Sequence, residues 1–307
     1  MGFRDAKLVP LTGEGPEDVL VDAEGCVYTG LSDGRILRVS QTGRAVETIA
    51  QLDGRVYGLE FYGEDELLAC CGPRGLAVVS LAGGAARTLV GGGDLRACNN
   101  AAVAGDGTIY FSDSSTHFDP AQWRRSLLHR AGTGRLLRRC PDGRVEELLT
   151  GLHFANGVAL APDESFVVVA ETAERRITRL RLSGSRAGTS DVFAANLPGY
   201  PDNASTGSDG LIWVALASPR VRSFDVLRHA PKPVRDVVGR LPQRLRITSS
   251  VGAAAMDESG TVVRQYRGRI AGVSVLSAVR ERDGWLYFGS PIGRNVVVMP
   301  SGLTGWA

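Results

Sequence analysis

Short runs of apolar residues that alternate with polar residues recur along the whole 307-residue chain. In six segments an apolar run meets a tight turn, and a second run rich in Val, Ile, Tyr, Trp or Phe follows. β-Branched and aromatic residues around such a turn are typical of a β-hairpin on a half-buried sheet. The six hairpin segments are VLVDAEGCVYTGL, LEFYGEDELLACC, AAVAGDGTIYFSD, VALAPDESFVVVAET, ASTGSDGLIWVALA and LSAVRERDGWLYFGS.

The spacing of these hairpins predicts the fold. They recur at intervals of roughly 40 to 50 residues, and most are followed by a third alternating strand such as GRILRVS or NVVVMP. Repetition of several strands at this interval is typical of β-propellers and other radial β repeats. We therefore expect an all-β, six-bladed β-propeller with four-stranded blades, in one domain spanning residues 1–307. Outside residues 219–246 no helical period accompanies the strands, which argues against a doubly wound α/β fold. The N-terminal AKLVP is expected to close the ring as the outer strand of the last blade.

Composition and charge exclude several classes of protein. The apolar share of 43% is that of a globular chain, and the formal charge of +2 indicates no basic face for nucleic acid. The five cysteines show neither CxxC nor Cys/His spacing, so neither a disulfide framework nor a zinc-finger-type site is expected. The N-terminus lacks an apolar targeting segment and no run reaches the length of a membrane span. We therefore expect a cytoplasmic protein.

One register position in each blade carries the candidate chemistry. Seven residues before the acidic residue of each turn, at the entrance of the first strand, stand Glu17, Tyr57, Asn99, Asn156, Asp202 and Leu276. First strands line the central channel of a propeller, so these positions are expected to form a ring. Two carboxylates and two amides form an oxygen set that suits Ca²⁺, with Mg²⁺, Mn²⁺ or Zn²⁺ as alternatives. The predicted metal ligands are therefore Glu17, Asn99, Asn156 and Asp202.

Two further interpretations stay open at these positions. Asn and Asp are common in turns, where their side chains hydrogen-bond to backbone groups. A turn role alone would explain the presence of any single one of the four predicted metal ligands. The neighbouring residues Asp18 and Asn100, together with Asn203, are candidates for a second, structural metal ion. Cap and turn roles explain those neighbours equally well.

Two long connections, in blades three and five, are expected to form helical lid insertions over the metal face. Residues 114–134 in blade three and 218–250 in blade five join second to third strands, and loops of this length are usually functional. The first supplies His117, Phe118 and Trp123, which with Tyr57 are the predicted substrate-binding residues. The second has Arg, Leu and Val at near-helical spacing, typical of either a solvated helix face or weak association with a membrane surface or a partner.

Several segments resemble a known family over nearly the whole chain. GPEDVLVD, CNNAAVAGDGTIYFSDSS, FANGVALAPDESFVVVAET, LPGYPDNASTGSDGLIWVAL and RERDGWLYFGS are similar to the strictosidine synthase-like branch of the gluconolactonase, senescence marker protein and paraoxonase superfamily. The resemblance implies a central Ca²⁺, or another divalent ion, on one Glu, two Asn and one Asp. By motif these are Glu17 in GPED, Asn99 in CNN, Asn156 in ANG and Asp202 in PDN.

The chain departs from its best-known relatives at two places. Ser277 stands at about the position where plant strictosidine synthases carry a catalytic Glu, which argues against their amine–aldehyde condensation. Tyr57 stands near the start of blade two, where paraoxonases use a His.

The predicted function is a metal-dependent hydrolase that acts on a small lactone or ester. The ion would polarise the carbonyl, and Asp202 would serve as a ligand and as either general base or nucleophile. Two alternatives stay open. One is a non-hydrolytic propeller whose metal is structural and whose role is ligand binding or scaffolding, and the other is a biosynthetic enzyme of the condensation or lyase type.

Overall fold

Six four-stranded antiparallel sheets stand in a ring, so the predicted six-bladed propeller is confirmed. The structure is a computed structural model that describes residues 1–302 except 92, 94, 131 and 242–249.

Each blade follows the chain from an inner strand near the channel to an outer strand at the rim. Blades one to three consist of β2 (Val19–Val21), β3 (Val27–Gly30), β4 (Arg35–Val39), β5 (Val46–Gln51); β6 (Gly58–Phe61), β7 (Glu66–Cys70), β8 (Leu76–Ser80), β9 (Arg87–Val90); and β10 (Cys98–Val103), β11 (Ile109–Asp113), β12 (Gly134–Arg139), β13 (Val145–Leu152). Blades four to six consist of β14 (Ala155–Leu160), β15 (Phe166–Glu171), β16 (Arg176–Arg181), β17 (Ser190–Ala194); β18 (Gly199–Thr206), β19 (Ile212–Pro219), β20 (Val251–Met256), β21 (Val262–Gly268); and β22 (Ala278–Arg282), β23 (Trp285–Gly289), β24 (Asn295–Pro300), β1 (Lys7–Pro10).

The first hairpin of blade three shows why the acidic turns form. Gly107 adopts φ +84°, a left-handed conformation that costs a residue without a side chain little. The Asp106 carboxylate accepts a hydrogen bond of 2.8 Å from the backbone N–H of Thr108, and Ala104 N–H donates to the Thr108 carbonyl. The acid and the glycine together close the turn that joins β10 to β11.

The N-terminal strand closes the ring as predicted. Strand β1 pairs antiparallel with β24, with Lys7 opposite Val298 and Pro10 opposite Asn295. Blade six therefore combines residues from both ends of the chain, and the sheet edge of β24 is covered.

The hydrophobic core lies between successive blades. All six residues of β15 are buried, and Trp213 of blade five packs with Tyr266 at a ring-centroid distance of 6.0 Å. The same cluster continues into Phe288 of blade six. Because the faces of neighbouring blades share one core, the inner strands are held at fixed positions around the channel.

Helices occur in both long connections, as predicted for blades three and five. Between β11 and β12 lies α1 (Trp123–His129), and between β19 and β20 lie α2 (Arg222–Arg228) and α3 (Lys232–Arg240). Part of the predicted second insertion, residues 242–249, lies outside the described residues. None of the helices in the described ranges has the length and apolar character needed to cross a bilayer.

Candidate functional site

The predicted ring residues stand at the entrances of the inner strands. Glu17 lies two residues before β2 and Tyr57 directly before β6, while Asn99, Asn156 and Asp202 lie within β10, β14 and β18. Asn156 Nδ2 donates a hydrogen bond of 2.6 Å to Asp202 Oδ1. Residues from separate blades thus meet at one end of the channel.

Two carboxylates share this end of the channel, where one of them, Glu17, has an arginine partner. Burial raises the pKa of Glu17, and Arg55 opposes that rise by donating from Nε to Glu17 Oε2 at 2.5 Å. Burial also raises the pKa of Asp202 well above its usual range, and the negative charge of Glu17 raises it further. A cation between the two side chains would relieve both effects.

The two amides add oxygens that lack partners. The side-chain oxygens of Asn99 and Asn156 are buried and accept no hydrogen bond within the described part of the chain. A buried carbonyl oxygen without a partner is costly, so this arrangement fits a ligand that accepts two amide oxygens and two carboxylates. Ca²⁺ takes this donor set, which makes the four residues a suitable divalent-cation site.

Blade three orients Asn99 through residues at the end of its second strand. Asn99 Nδ2 donates to Ser114 Oγ at 3.0 Å, which leaves its oxygen for the channel. The preceding residue, Asp113, is fully buried; its carboxylate accepts from Ala97 N–H at 2.7 Å and pairs with Arg135 at 2.7 Å. An acid followed by a hydroxyl therefore fixes both the backbone before Asn99 and its amide.

The same arrangement, an acid followed by a hydroxyl residue, occurs in blade four around Asn156. Asn156 Nδ2 donates to Thr172 Oγ1 at 3.2 Å. The preceding residue, Glu171, is fully buried, accepts from His153 N–H at 2.9 Å and pairs with Arg176 at 2.6 Å. Sequence reasoning missed both pairs, although an acid–hydroxyl dipeptide whose hydroxyl residue lies 15 or 16 residues after each Asn was a visible signal.

Blade two places a cation and a phenol beside the carboxylates. The Arg55 guanidinium lies 5.6 Å from the ring centroid of Tyr57. Burial, and then the charge of Glu17, raise the pKa of Tyr57 to about 12, so its hydroxyl remains protonated at neutral pH. Arg55 was not predicted, because its contact with Glu17 joins residues 38 positions apart.

Asp18 and Asn100, two of the three candidates for a second ion, use their oxygens within the protein, whereas Asn203 Oδ1 is buried and accepts no hydrogen bond from the described residues. The Asp18 carboxylate accepts hydrogen bonds from the N–H groups of Val19 and Leu59, both at 2.9 Å, and from Asn100 Nδ2 at 3.1 Å. Asn100 Oδ1 accepts from Val158 N–H at 2.8 Å. These contacts join blades one to four without an ion, and the second metal site stays a prediction.

Asn203 joins blade five to blades six and two. Its N–H donates to the Ser277 carbonyl at 2.9 Å and its Nδ2 donates to the Tyr57 carbonyl at 3.3 Å. Ser277 is fully buried and donates from Oγ to the Glu17 carbonyl at 2.5 Å. The Ser277 side chain therefore supports the backbone of a ring residue.

The predicted lid residues have their recorded contacts within the lid. His117 Nδ1 lies 2.9 Å from Thr116 Oγ1, and the ring of Phe118 lies 5.6 Å from that of His129. Trp123 is 39% exposed. Their roles in substrate binding remain predictions.

An ion cluster fastens the lid to blade four. Glu174 Oε1 accepts from Arg228 at 2.7 Å and from Arg130 at 3.2 Å, which joins α2 and the end of α1 to one short 3-10 helix (Thr172–Glu174). The side chain of Arg228 is only 7% exposed. The lid is therefore anchored two residues from Thr172, which orients Asn156.

Comparisons with known proteins agree with the fold and the motifs. Family models described as "Strictosidine synthase" and "Strictosidine synthase-like, N-terminal" match residues 99–185 and 2–39. Strictosidine synthase-like protein 10 of Arabidopsis thaliana is 37% identical over 94% of this chain and 86% of its own length. The adipocyte plasma membrane-associated protein of Salmo salar is 30% identical over 90% of this chain and 73% of its own length.

A solved structure supports the architecture. A gluconolactonase from Xanthomonas campestris superposes with a TM-score of 0.68 at 19% identity, covering 96% of this chain and 89% of that one. At this identity the likeness establishes the fold alone. The sequence relatives show that the chain belongs to the strictosidine synthase-like family.

Proposed function

We propose that this protein is a divalent-cation-dependent hydrolase of small lactones or esters, with Ca²⁺ as the resident ion. One observation carries the proposal: two largely buried carboxylates and two unpartnered amide oxygens converge at the mouth of the channel. When bound, the cation would polarise the substrate carbonyl and stabilise the charge that develops on its oxygen.

The residues of the chain would bind the ion and act on the substrate. Glu17, Asn99, Asn156 and Asp202 would hold the ion. Asp202 would also act on the substrate as a general base or as a nucleophile, oriented by the hydrogen bond from Asn156. Tyr57, protonated at neutral pH, would donate a hydrogen bond to the substrate.

A lactone panel tests this proposal. Enzyme stripped with a chelator and then reloaded with Ca²⁺, Mg²⁺ or Mn²⁺ is assayed on aliphatic, aromatic and sugar lactones and on simple esters. Turnover should require the ion, and Asp202→Asn should lower kcat by at least about 100-fold, the contribution typical of a positioned base. Full turnover by Asp202→Asn with the ion bound would refute the proposed mechanism.

A non-catalytic propeller is the second candidate, and one contact favours it. Arg55 pairs with Glu17 at 2.5 Å, so one of the two ring carboxylates already has a cationic partner from the protein itself. Ca²⁺ would then raise the melting temperature while no member of the panel is turned over. The plant-type condensation finds less support, because the buried hydroxyl of Ser277 occupies the place of the required acid and binds backbone.

A further inference from the structure

Helix α3 directs its polar side toward the protein. Arg235 donates to the carbonyl oxygen of His129, at the C-terminal end of α1, at 2.9 Å. Asp236 Oδ1 lies 2.9 Å from His129 Nε2. A Cβ atom at Gly239 would lie only 2.8 Å from the side chain of Arg125, so α3 packs closely against α1 there.

The apolar side of the same helix faces solvent. At 3.6 residues per turn, Val234, Val237 and the following Leu241 form a stripe opposite the residues that contact α1. Their exposures are 44%, 60% and 53%, and Val226 on α2 is 72% exposed. A surface helix normally buries its apolar stripe against the core, so the orientation of α3 is the reverse of the usual one.

Positive charge is concentrated in the same segment. Residues 219–241 contain six Lys and Arg and two Asp, a net charge of +4, whereas the whole chain has +2, so the remainder is net negative by two. Arg222, Lys232 and Arg240 are exposed on α2 and α3. The exposed valines therefore lie within a cationic surface on an otherwise slightly anionic protein.

We propose that this lid surface, formed by Val226, Val234, Val237 and Leu241 with Arg222, Lys232 and Arg240, docks on an anionic phospholipid bilayer. Aliphatic side chains can enter the boundary between headgroups and acyl chains while cationic side chains contact lipid phosphates and carboxylates. Protein interfaces centre instead on Trp, Tyr and Arg anchors that fill pockets, and this surface has no aromatic residue. Lipid is therefore the occupant that fits its chemistry.

Docking would also set the orientation of the channel. Strand β19 ends at Pro219, which pairs with Gly199 close to Asp202, so the second insertion leaves the propeller at the ring face. The lid surface is the outer side of that insertion. Docking would therefore hold the mouth of the channel toward the bilayer.

Vesicle sedimentation tests the proposal with the full chain. Wild-type protein should sediment with vesicles of phosphatidylcholine and phosphatidylserine, bind phosphatidylcholine vesicles more weakly, and dissociate as salt rises. Val234→Asp combined with Val237→Asp should lower the partition coefficient by at least about tenfold. Val192→Asp combined with Val145→Asp, at positions 51% and 40% exposed on β17 and β13, is the matched control and should bind like wild type.

Charge variants complete the test. Arg240→Glu should weaken binding to the anionic vesicles, whereas Arg44→Glu, an equal change of net charge at an exposed turn before β5, should not. Absence of wild-type binding, or equal binding by the double valine variant and wild type, overturns the proposal. If wild type ignores vesicles but dimerises, and the valine variant is monomeric, the surface instead binds a second copy of the chain and the lipid assignment is wrong.

Discussion

The side-chain nitrogen of Asn156 donates to both Asp202, at 2.6 Å, and Thr172, at 3.2 Å. Since Nδ2 has two hydrogens and both are engaged, only the amide oxygen is available to the channel. The side-chain nitrogen of Asn99 likewise donates to Ser114, so its amide oxygen is also directed to the channel. Two hydroxyl groups that would not touch the ion, those of Thr172 and Ser114, thus help to orient the amide oxygens of the proposed site.

Removing these neighbours should weaken cation binding. Ser114→Ala removes the acceptor of the Asn99 amide, and Thr172→Val leaves the Asn156 amide held by Asp202 alone. We expect each to lower Ca²⁺ affinity by about tenfold, the lower end of the range for residues that orient metal ligands. Isothermal titration calorimetry of the chelator-treated protein measures the change.

Ser205→Ala is the matched control for this prediction. Its hydroxyl is also buried on an inner strand but donates to the Val279 carbonyl at 2.7 Å, within the propeller. The control should lose some stability and keep its Ca²⁺ affinity. Equal losses of affinity in all three variants would mean that the hydroxyls act through the fold.

Cation binding should depend on pH in a definite direction. Burial and Glu17 raise the pKa of Asp202 above its usual 3.8, so the folded, ion-free protein retains a proton that the unfolded chain releases. The stability of the ion-free protein due to this group therefore falls as pH rises above 3.8. Ca²⁺ displaces that proton, so we expect the Ca²⁺-induced rise in melting temperature to be larger at pH 7 than at pH 5. A rise that is equal at both pH values would contradict this assignment.

Asp18 should contribute more to stability than any exposed turn acid. Asp18→Ala leaves three buried donors on Val19, Leu59 and Asn100 without their acceptor, and we expect a loss of about 3 kcal/mol in the free energy of unfolding. Urea denaturation measures it. Asp163→Ala, which removes one exposed turn hydrogen bond to Ser165 N–H, should cost less than about 1 kcal/mol.

The same variant bears on the second-ion hypothesis. If Asp18 serves only to join blades, Ca²⁺ should bind wild type with a stoichiometry of one. A second bound ion that is lost in Asp18→Ala would establish the structural site instead.

The lid should detach when its buried ion pair is broken. Glu174→Gln leaves Arg228, whose side chain is 7% exposed, without its carboxylate, and a buried unpaired charge is strongly unfavourable. We expect trypsin to cleave within residues 219–241 at least about tenfold faster, while the melting temperature of the propeller changes little. Asp225→Asn, which breaks the exposed Arg220–Asp225 pair, should leave cleavage near the wild-type rate.

The blades were predictable from sequence because their signals are local. A hairpin is specified within about a dozen residues, and its repetition fixes which residue stands at each strand entrance, so Asn99 and Asn156 could be named in advance. Arg55 could not be named, because its contact with Glu17 depends on how two blades are placed around the axis. The orientation of α3 was equally inaccessible: a helical pattern gives an apolar stripe, and whether that stripe points in or out is decided by Gly239 and the end of α1.

The pairing of β1 with β24 has a consequence for how the protein is made. Blade six cannot be completed until β24 has been synthesised, so β1 must wait, unpaired, while the intervening blades are made. Contacts between such distant parts of a chain also slow folding, because the loop they close is long. Assembly of the ring is therefore expected to be a late event, and a cation that needs ligands from blades one, three, four and five would bind only after most of the circle exists.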